Sequence, residues 1–360
     1  MHFPAFLQLI KPPDCSVYMK ERDEENVLSL YPEEAQNTDK LSQKSIPAQV
    51  FLNYFFAINY HIQNSGTTAP GQLPILHEQR PELTDQDLEA IKKLLLNSWS
   101  TEYALRATAE LGDEEYMRNA LHWTFPQAYY AVYAGLQAFL YTRGLRTNNE
   151  GWVLREAGRL VVKNAYPRAI GFYASGHYDD FNVHRLPLAH YKPGLQIAGK
   201  ELEAQSQIGQ FLRTTRRMKA KAVRQAVQAN LATAIRSSKT GDVLQKFGPQ
   251  HWQQLTWRMG YTTVFDLMAR LRISSTHREI ARFVQAEIDF KLFHESLLQI
   301  VGYLNGIHEC FVAQAMGLQK YEEYVQELPA YLQRSFVEAR LQQQIKPLLG
   351  KEDFNLGQAA

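Results

Sequence analysis

The chain has few of the features that would tie it to a membrane, an oxidising compartment or a metal. It has only two cysteines, Cys15 and Cys310, which lie far apart and form neither a CxxC pair nor a disulfide framework. This usage is typical of a reducing compartment. The nearest approach to a long apolar run, Ala128 to Tyr141, contains Gln137 and is shorter than the roughly 18 residues that a membrane span needs. Pro4 breaks the first apolar run, so we expect no secretory signal, no membrane contact and a cytoplasmic location.

Charge of one sign is not in excess either. The 39 Lys and Arg residues nearly balance the 37 Asp and Glu residues, so only the distribution of charge can indicate a partner. The sequence contains no Gly-rich phosphate loop of the P-loop or dinucleotide type, and no Ser–His–Asp or Cys–His arrangement stands out. Aromatic residues are plentiful, with 19 Tyr, 18 Phe and 5 Trp. Core packing is their ordinary role, and stacking on nucleic-acid bases is the alternative.

Helical periodicity dominates the chain and predicts an all-α fold, a multi-helix bundle without any β-hairpin signal. Thr84 followed by acidic residues has the form of a helix N-cap. Pro126 is expected in the first turn of a helix that ends before Gly144. The predicted helices are 46–64, one opening at 84, 101–110, 113–122, 126–143, 149–164, 199–236, 249–258, 261–273, 277–316 and 319–346.

Two parts of the sequence lack this period. Residues 1–45 are polar and acidic, and we expect them to form an N-terminal arm that is partly ordered at best. Residues 165–198 are punctuated by Pro and Gly and predict a long irregular loop with at most one short helix. We therefore divide the chain into an arm with one helix and a linker (1–80), a main helical domain (81–318), and a C-terminal helix with a tail (319–360).

The first candidate site is a junction between two predicted helices. Arg272 and His277 lie five positions apart, and Thr276 with Glu279 has the form of a capping box. His277 would then occupy a first helical turn, where free N–H groups attract phosphate. A histidine can move the proton of an RNA 2′-hydroxyl, and an arginine can stabilise the charge on a pentacoordinate phosphate. The alternative is a solvated helix start in which His277 is exposed and Thr276 and Glu279 are only caps.

The second candidate is a basic segment from Arg213 to Lys239, in a stretch without acidic residues between Glu203 and Asp242. Phosphate is the natural partner of such a segment. The alternative is a solvated helix face, which could pair with the acidic arm at 21–34. The predicted RNA-binding residues are Arg213, Arg216, Arg217, Lys221 and Arg224, together with Arg278 from the junction.

Two further groups of histidines have simpler explanations. His177, Asp179 and His184 fall within one short stretch and would make a metal hydrolase a third functional alternative. Their spacing matches no known metal site closely, and turn formation explains the acidic residues. His294 and His308, each followed by a Glu, share one helix face but lie too far apart for one metal, which favours interior or interface packing. We predict no metal and no cofactor.

Two segments resemble HEPN-type domains. Residues 127–144 resemble the helix in which Tyr-Tyr-Ala-x-aromatic precedes small and Leu residues and a terminal Gly. Residues 267–280 resemble the second half of such a domain, where an Arg is followed after four to six residues by His or Tyr and then by Arg-Asp. The resemblance covers roughly 85–320. The sequence departs from the pattern at Ala134, where many relatives have His, and at Ile273, where a polar residue is common.

HEPN domains are helical bundles that usually dimerise, and many are metal-independent endoribonucleases whose Arg-x(4–6)-His motif lines a cleft shared by two copies. The resemblance implies that Arg272 and His277 occupy these positions in this chain. It implies an RNA-cleaving homodimer of a prokaryotic toxin–antitoxin or phage-defence system, with an antitoxin or defence protein as partner. Some HEPN-like proteins are inactive, so the alternative is a helical adaptor that binds a protein or nucleic acid. That alternative predicts that Arg272 is separated from His277 or ion-paired with acidic residues.

Overall fold

The all-α prediction is confirmed, and the helices are packed around a very small sheet. The computed structural model describes residues 40–66, 73–78, 81–178, 180–230, 232–275 and 277–349, so most of the predicted N-terminal arm lies outside the described residues. The α-helices are α1 (Lys40–Asn64), α2 (Asp85–Leu111), α3 (Glu114–Asn119), α4 (Leu121–Tyr141), α5 (Glu150–Val162), α6 (Glu201–Ala229), α7 (Pro249–Met259), α8 (Val264–Ile273), α9 (His277–Phe283), α10 (Phe290–Met316), α11 (Leu318–Gln326), α12 (Phe336–Arg340) and α13 (Lys346–Leu349).

A π-helical turn and two 3-10 turns complete the helical elements of the described residues. The π turn, Leu341–Ile345, joins α12 to α13, and the 3-10 turns are Pro74–His77 and Arg168–Ile170. None of the helices in these ranges combines the length and the apolar character of a membrane span.

The stretch 165–198 contains a β-hairpin, and the expectation of no hairpin is wrong. Strands β1 (Tyr173–Gly176) and β2 (Phe181–His184) pair antiparallel, and β3 (Thr262–Thr263) pairs with the other edge of β1. Strands this short depend on contacts with distant segments for their stability, and a local periodicity does not reveal such contacts.

Several predicted helix boundaries are wrong. The predicted helix 199–236 ends at Ala229, and the predicted helices opening at 84 and at 101 are the single helix α2. Pro126 lies inside α4, which extends to Leu121 because Leu121 and Phe125 are fully buried. The predicted helix 277–316 is two helices, and the Asp289 side chain caps the second by accepting a hydrogen bond from a first-turn backbone N–H. The last predicted helix is interrupted after α11 and resumes at α12.

The main core lies where α1, α4, α6 and α10 meet, and aromatic rings fill it. The Phe51 ring of α1 lies 5.6 Å from the Phe211 ring of α6 and 5.2 Å from the Phe283 ring of α9, measured between centroids. A smaller cluster, which we call the second core, packs α7 against the C-terminal half of α6. Its buried members are Ala220, Val227, Trp252, Leu255 and Met259.

Candidate functional site

Helices α4, α5 and α8 bring three side chains together, which we call the Arg272 triad. Arg272, in the last turn of α8, lies over the ring of Tyr129 from α4, at 5.5 Å from the ring centroid. Glu150, in the first turn of α5, accepts hydrogen bonds from the Tyr129 hydroxyl at 2.6 Å and from Arg272 Nη2 at 2.9 and 3.1 Å. Asn149 caps α5 by accepting a hydrogen bond from a backbone N–H at 3.0 Å. This cap places Glu150 at the exact start of the helix, facing the other two.

The electrostatics of the triad keep Tyr129 neutral and Arg272 charged. Burial, reinforced by the Glu150 carboxylate, raises the pKa of Tyr129 well above its usual value. Burial alone would lower the pKa of Arg272, but the combined effect of Glu150 and the neighbouring Tyr129 and Tyr130 outweighs it, and the pKa is raised. Both hydrogen bonds to Glu150 leave from Nη2, so Glu150 does not engage Nη1. The cation therefore keeps donor capacity for an anion such as phosphate.

The triad lies at the junction that the sequence predicts as a site. The Arg272 side chain is 25% exposed, so solvent reaches it. Helix α9 begins at His277, five residues further along. The side chains of His277 and Arg278, and the whole of Thr276, lie outside the described residues, and so do the predicted capping box and the distance between the two candidate catalytic groups.

Two helices of the triad, α4 and α5, also carry exposed aromatic rings. Tyr130, beside Tyr129 at a ring-centroid distance of 5.2 Å, is 45% exposed. Trp152, two residues after Glu150, is 49% exposed and lies under the Arg155 guanidinium at 4.7 Å. The surface around Arg272 therefore offers both a cation and ring faces.

Arg216 does not fit the predicted RNA-binding role, because its side chain is fully buried. It donates from Nη1 to the carbonyl of Gly260 at 2.6 Å and to the Thr262 hydroxyl at 3.2 Å, and from Nη2 to the carbonyl of Gly176. Burial lowers the pKa of Arg216 to about 10. The residue ties α6 to the small sheet, and a side chain without exposed surface cannot reach an RNA backbone.

Arg213 and Arg224 of the predicted set are also bound to backbone carbonyls. Arg213 Nη1 donates to the carbonyl of Ala189 at 2.8 Å, which holds the irregular stretch against α6. Arg224 Nη2 donates to the carbonyl of Gln245, and its guanidinium lies 5.1 Å from the centroid of the Phe247 ring. Both guanidinium groups thus organise neighbouring loops.

The remaining cations of α6 are half-buried and have neighbours within the fold. Arg217 lies over the Phe181 ring at 5.7 Å, and Lys221 is half-buried. Lys219 Nζ donates to Asp266 Oδ1 at 2.6 Å, an ion pair that joins α6 to the first turn of α8. The basic face predicted on α6 is therefore mostly a set of internal tethers, and the solvated-face alternative does not describe it either.

The histidine-rich loop does not form a metal site among the residues that can be described. His177 Nε2 lies 4.0 Å from Asp180 Oδ2, and His184 Nε2 is hydrogen-bonded to the Ser175 hydroxyl at 2.8 Å. Asp179 lies outside the described residues. Within the described ranges, no group of three or more His, Cys, Asp or Glu side chains is placed to hold a metal ion.

A buried ion network is a polar cluster that the sequence did not predict. Arg340 of α12 donates to Glu102 Oε1 at 2.7 Å and to Glu309 Oε1, and Asn305 donates to the other oxygen of Glu102 at 2.8 Å. Although burial opposes it, the attraction of Arg340 and Arg106 lowers the pKa of Glu102, whereas burial raises the pKa of Glu309. The network joins the C-terminal helices to α2 and α10.

The interior interpretation of His294 and His308 is confirmed, since both are at most 1% exposed. His308 lies between the rings of Phe139 and Phe265, at centroid distances of 6.0 and 5.6 Å, and its Nε2 is 3.2 Å from the Tyr166 hydroxyl. Burial lowers the pKa of His308 to about 3. An imidazole held neutral in this way serves packing.

No family model, curated protein or solved structure matches the chain. The geometry of the Arg272 triad, and the chemistry that this geometry permits, are therefore the basis for assigning a function to the chain.

Proposed function

We propose that this protein is a metal-independent endoribonuclease of the HEPN type, acting in a prokaryotic toxin–antitoxin or phage-defence system. The observation that supports the proposal is the contact between Tyr129 and Arg272. These residues belong to 127–144 and 267–280, the two separate segments that resemble HEPN domains. If the two segments form one HEPN-type active site, they have to lie close together in the fold. Tyr129 and Arg272 bring them together in a partly exposed site.

The proposed reaction needs no metal, because the RNA supplies its own nucleophile. The 2′-oxygen attacks the adjacent phosphorus, the bond to the 5′-oxygen breaks, and the products are a 2′,3′-cyclic phosphate and a 5′-hydroxyl. His277 takes the 2′-hydroxyl proton and returns a proton to the leaving 5′-oxygen. Arg272 stabilises the additional negative charge on the phosphate oxygens. Glu150 is a positioning residue, since it fixes Nη2 of Arg272 and leaves Nη1 for the phosphate.

The dimer is part of the same proposal. The resemblance implies a cleft that two copies share, and α4 exposes two large rings, Tyr130 beside the triad at 45% and Trp123 in the first turn of the helix at 65%. Aromatic residues are enriched in protein interfaces. Light scattering of the purified protein is expected to give the mass of two chains, and Trp123→Glu is expected to reduce it to that of one.

The catalytic test uses purified protein, end-labelled single-stranded RNA and excess EDTA. Cleavage is expected in EDTA, with 2′,3′-cyclic phosphate ends, and it should fall at least about a hundredfold in His277→Ala and Arg272→Ala. His190→Ala and Arg159→Ala, at exposed positions, are the matched controls and should cleave normally. Absence of cleavage by the unsubstituted protein, or normal cleavage by His277→Ala, contradicts the proposal.

A second candidate, the catalytically inactive adaptor, is favoured by one specific observation. Arg272 is ion-paired with Glu150, as that alternative predicts, and phosphate has to compete with a carboxylate for the guanidinium. An adaptor would bind RNA or a partner protein without cleaving it. In the assay above, RNA that is retained on the protein but remains full-length would favour the adaptor.

A further inference from the structure

We propose that residues 232–259, which we call the basic module, form a separate binding surface for single-stranded nucleic acid. Its two lysines remain available once the internal contacts of the fold are taken into account. Lys239 and Lys246 are exposed, and so is Arg236, although Arg236 Nη1 donates to a carbonyl of its own loop at 3.0 Å. Arg258 is half-buried, and Asp242 is the one carboxylate in the module. A surface with this balance attracts a polyanion through its phosphates.

Lys239 and Lys246 are the cations of the module that are most available to a phosphate. Within the part of the chain that the structure describes, neither the Lys239 nor the Lys246 ammonium makes an ion pair or a side-chain hydrogen bond. Arg213, Arg216 and Arg224 of α6 are committed to carbonyl groups, as described above. The predicted phosphate contacts are therefore better placed on the module than on α6.

The module is held by the second core and by paired backbone groups. The Trp252 ring stacks on Tyr178 at a centroid distance of 4.5 Å, and the Phe247 ring lies 5.2 Å from Trp252. The Gln228 amide accepts from the N–H of Ile235 at 2.8 Å and donates to the carbonyl of Leu244 at 2.8 Å. These contacts fix the backbone that carries the exposed cations, which lowers the entropy cost of binding.

Trp257 indicates which polyanion the module suits. Its side chain is 68% exposed, on the part of α7 that does not enter the second core. The Arg258 guanidinium lies 5.1 Å from its ring centroid and leaves the indole as an exposed stacking surface. Unpaired bases stack on such rings, whereas paired bases and acidic proteins do not offer free base faces. Cations with an exposed ring therefore favour a single strand.

The inference depends on the proposed function only in the choice of RNA as the nucleic acid. If the protein is an endoribonuclease, the module holds the strand whose scissile phosphate reaches the Arg272 triad. If it is an adaptor, the same module still binds the strand. Binding and cleavage are measured separately, so the two proposals fail independently.

The test measures fluorescence anisotropy of a labelled oligouridylate with the full chain carrying His277→Ala, which prevents cleavage during titration. Lys239→Glu with Lys246→Glu is expected to weaken binding at least about tenfold and to reduce its salt dependence by about two phosphate contacts. Trp257→Ala is expected to weaken binding about tenfold. A duplex of the same length is expected to bind less tightly and to be insensitive to Trp257→Ala.

The matched controls are Lys93→Glu with Lys320→Glu, and Tyr116→Ala, all at exposed positions elsewhere. They should leave affinity within about twofold. Circular dichroism checks that every variant is folded. Unchanged affinity in the lysine pair, or an equal loss in its control, overturns the binding surface. Sensitivity to the lysines without any effect of Trp257→Ala on the single strand overturns the stacking role and the preference for a single strand.

Discussion

The guanidinium of Arg272 donates two hydrogen bonds from Nη2 to the carboxylate of Glu150, at 2.9 and 3.1 Å, while the Tyr129 hydroxyl donates to the same carboxylate. Both members of the ion pair are partly exposed. Such pairs contribute about 0–1 kcal/mol to stability, so the pair does little to hold the fold together. Its main physical effect is to fix the direction of one arginine at a helix junction.

Replacing Glu150 distinguishes two roles for this residue. Glu150 either orients Arg272 for catalysis or only competes with phosphate for the Arg272 guanidinium. Glu150→Gln keeps an acceptor for Tyr129 but removes the charge that orients Arg272. If Glu150 positions Arg272 for catalysis, kcat for RNA cleavage should fall about tenfold with little change in KM. Glu156 pairs with the exposed Arg159, so Glu156→Gln is the control and should leave kcat unchanged. An increase in RNA affinity with no loss of kcat would show that Glu150 only competes with phosphate.

The buried network around Arg340 should be sensitive to the loss of its cation. Arg340→Met leaves Glu102 and Glu309 buried together without their shared partner. We expect the free energy of unfolding in urea to fall by about 3–5 kcal/mol. Arg159→Met removes an exposed pair and should cost less than about 1 kcal/mol. Similar losses in the two variants would argue against the network.

Because His308 is buried in its neutral form, we expect the free energy of unfolding to decrease in mild acid. The pKa of His308 is about 3 in the folded protein, against the usual 6.5, so below pH 6.5 the unfolded chain binds a proton that the folded chain excludes. Stability therefore decreases as pH falls from 6.5 towards 3, by about 2 kcal/mol between about pH 7 and about pH 5. His308→Gln should lack this component in urea unfolding, whereas His122→Gln, at an exposed position, should retain it. An identical pH dependence in both variants contradicts the prediction.

Arg216 should behave as a structural residue. Arg216→Ala leaves the carbonyls of Gly176 and Gly260 without their donor, and we expect unfolding free energy to fall by about 2–4 kcal/mol. Well below the melting temperature, affinity for oligouridylate should remain within about twofold. Lys246→Ala, at an exposed position in the basic module, should show the reverse pattern, with a stable fold and weaker binding. A loss of affinity in Arg216→Ala without a loss of stability would show that Arg216 contributes to RNA binding.

Local sequence signals predicted elements whose causes are local. The predicted N-cap at Thr84 is confirmed, with Thr84 Oγ1 accepting from the Asp87 N–H at 3.2 Å. Asp87 Oδ2 also accepts from the Thr84 N–H at 3.0 Å, which makes the cap a capping box. Periodicity placed most helices correctly. It failed at the β1–β2 hairpin, whose third strand comes from residues 262–263, far along the chain. It also failed at the break before Asp289, which interrupts a continuous apolar pattern.

The candidate site was predictable only in part. Arg272 stood out because its spacing to His277 and its place near a helix end are local features. Glu150 did not, because a carboxylate in the first turn of any helix has an ordinary explanation as a dipole partner. Only the packing of α4, α5 and α8 shows that this carboxylate meets Arg272 and Tyr129.

The sequence by itself determined that the chain is helical and where many helices begin, because apolar spacing and capping act within a few residues. The tertiary structure decided which charges are available. Arg216 and Lys239 belong to the same basic segment, yet one is fully buried and the other is exposed. The difference arises because a buried guanidinium needs acceptors to replace water, and distant segments supply the carbonyls of Gly176 and Gly260 to Arg216.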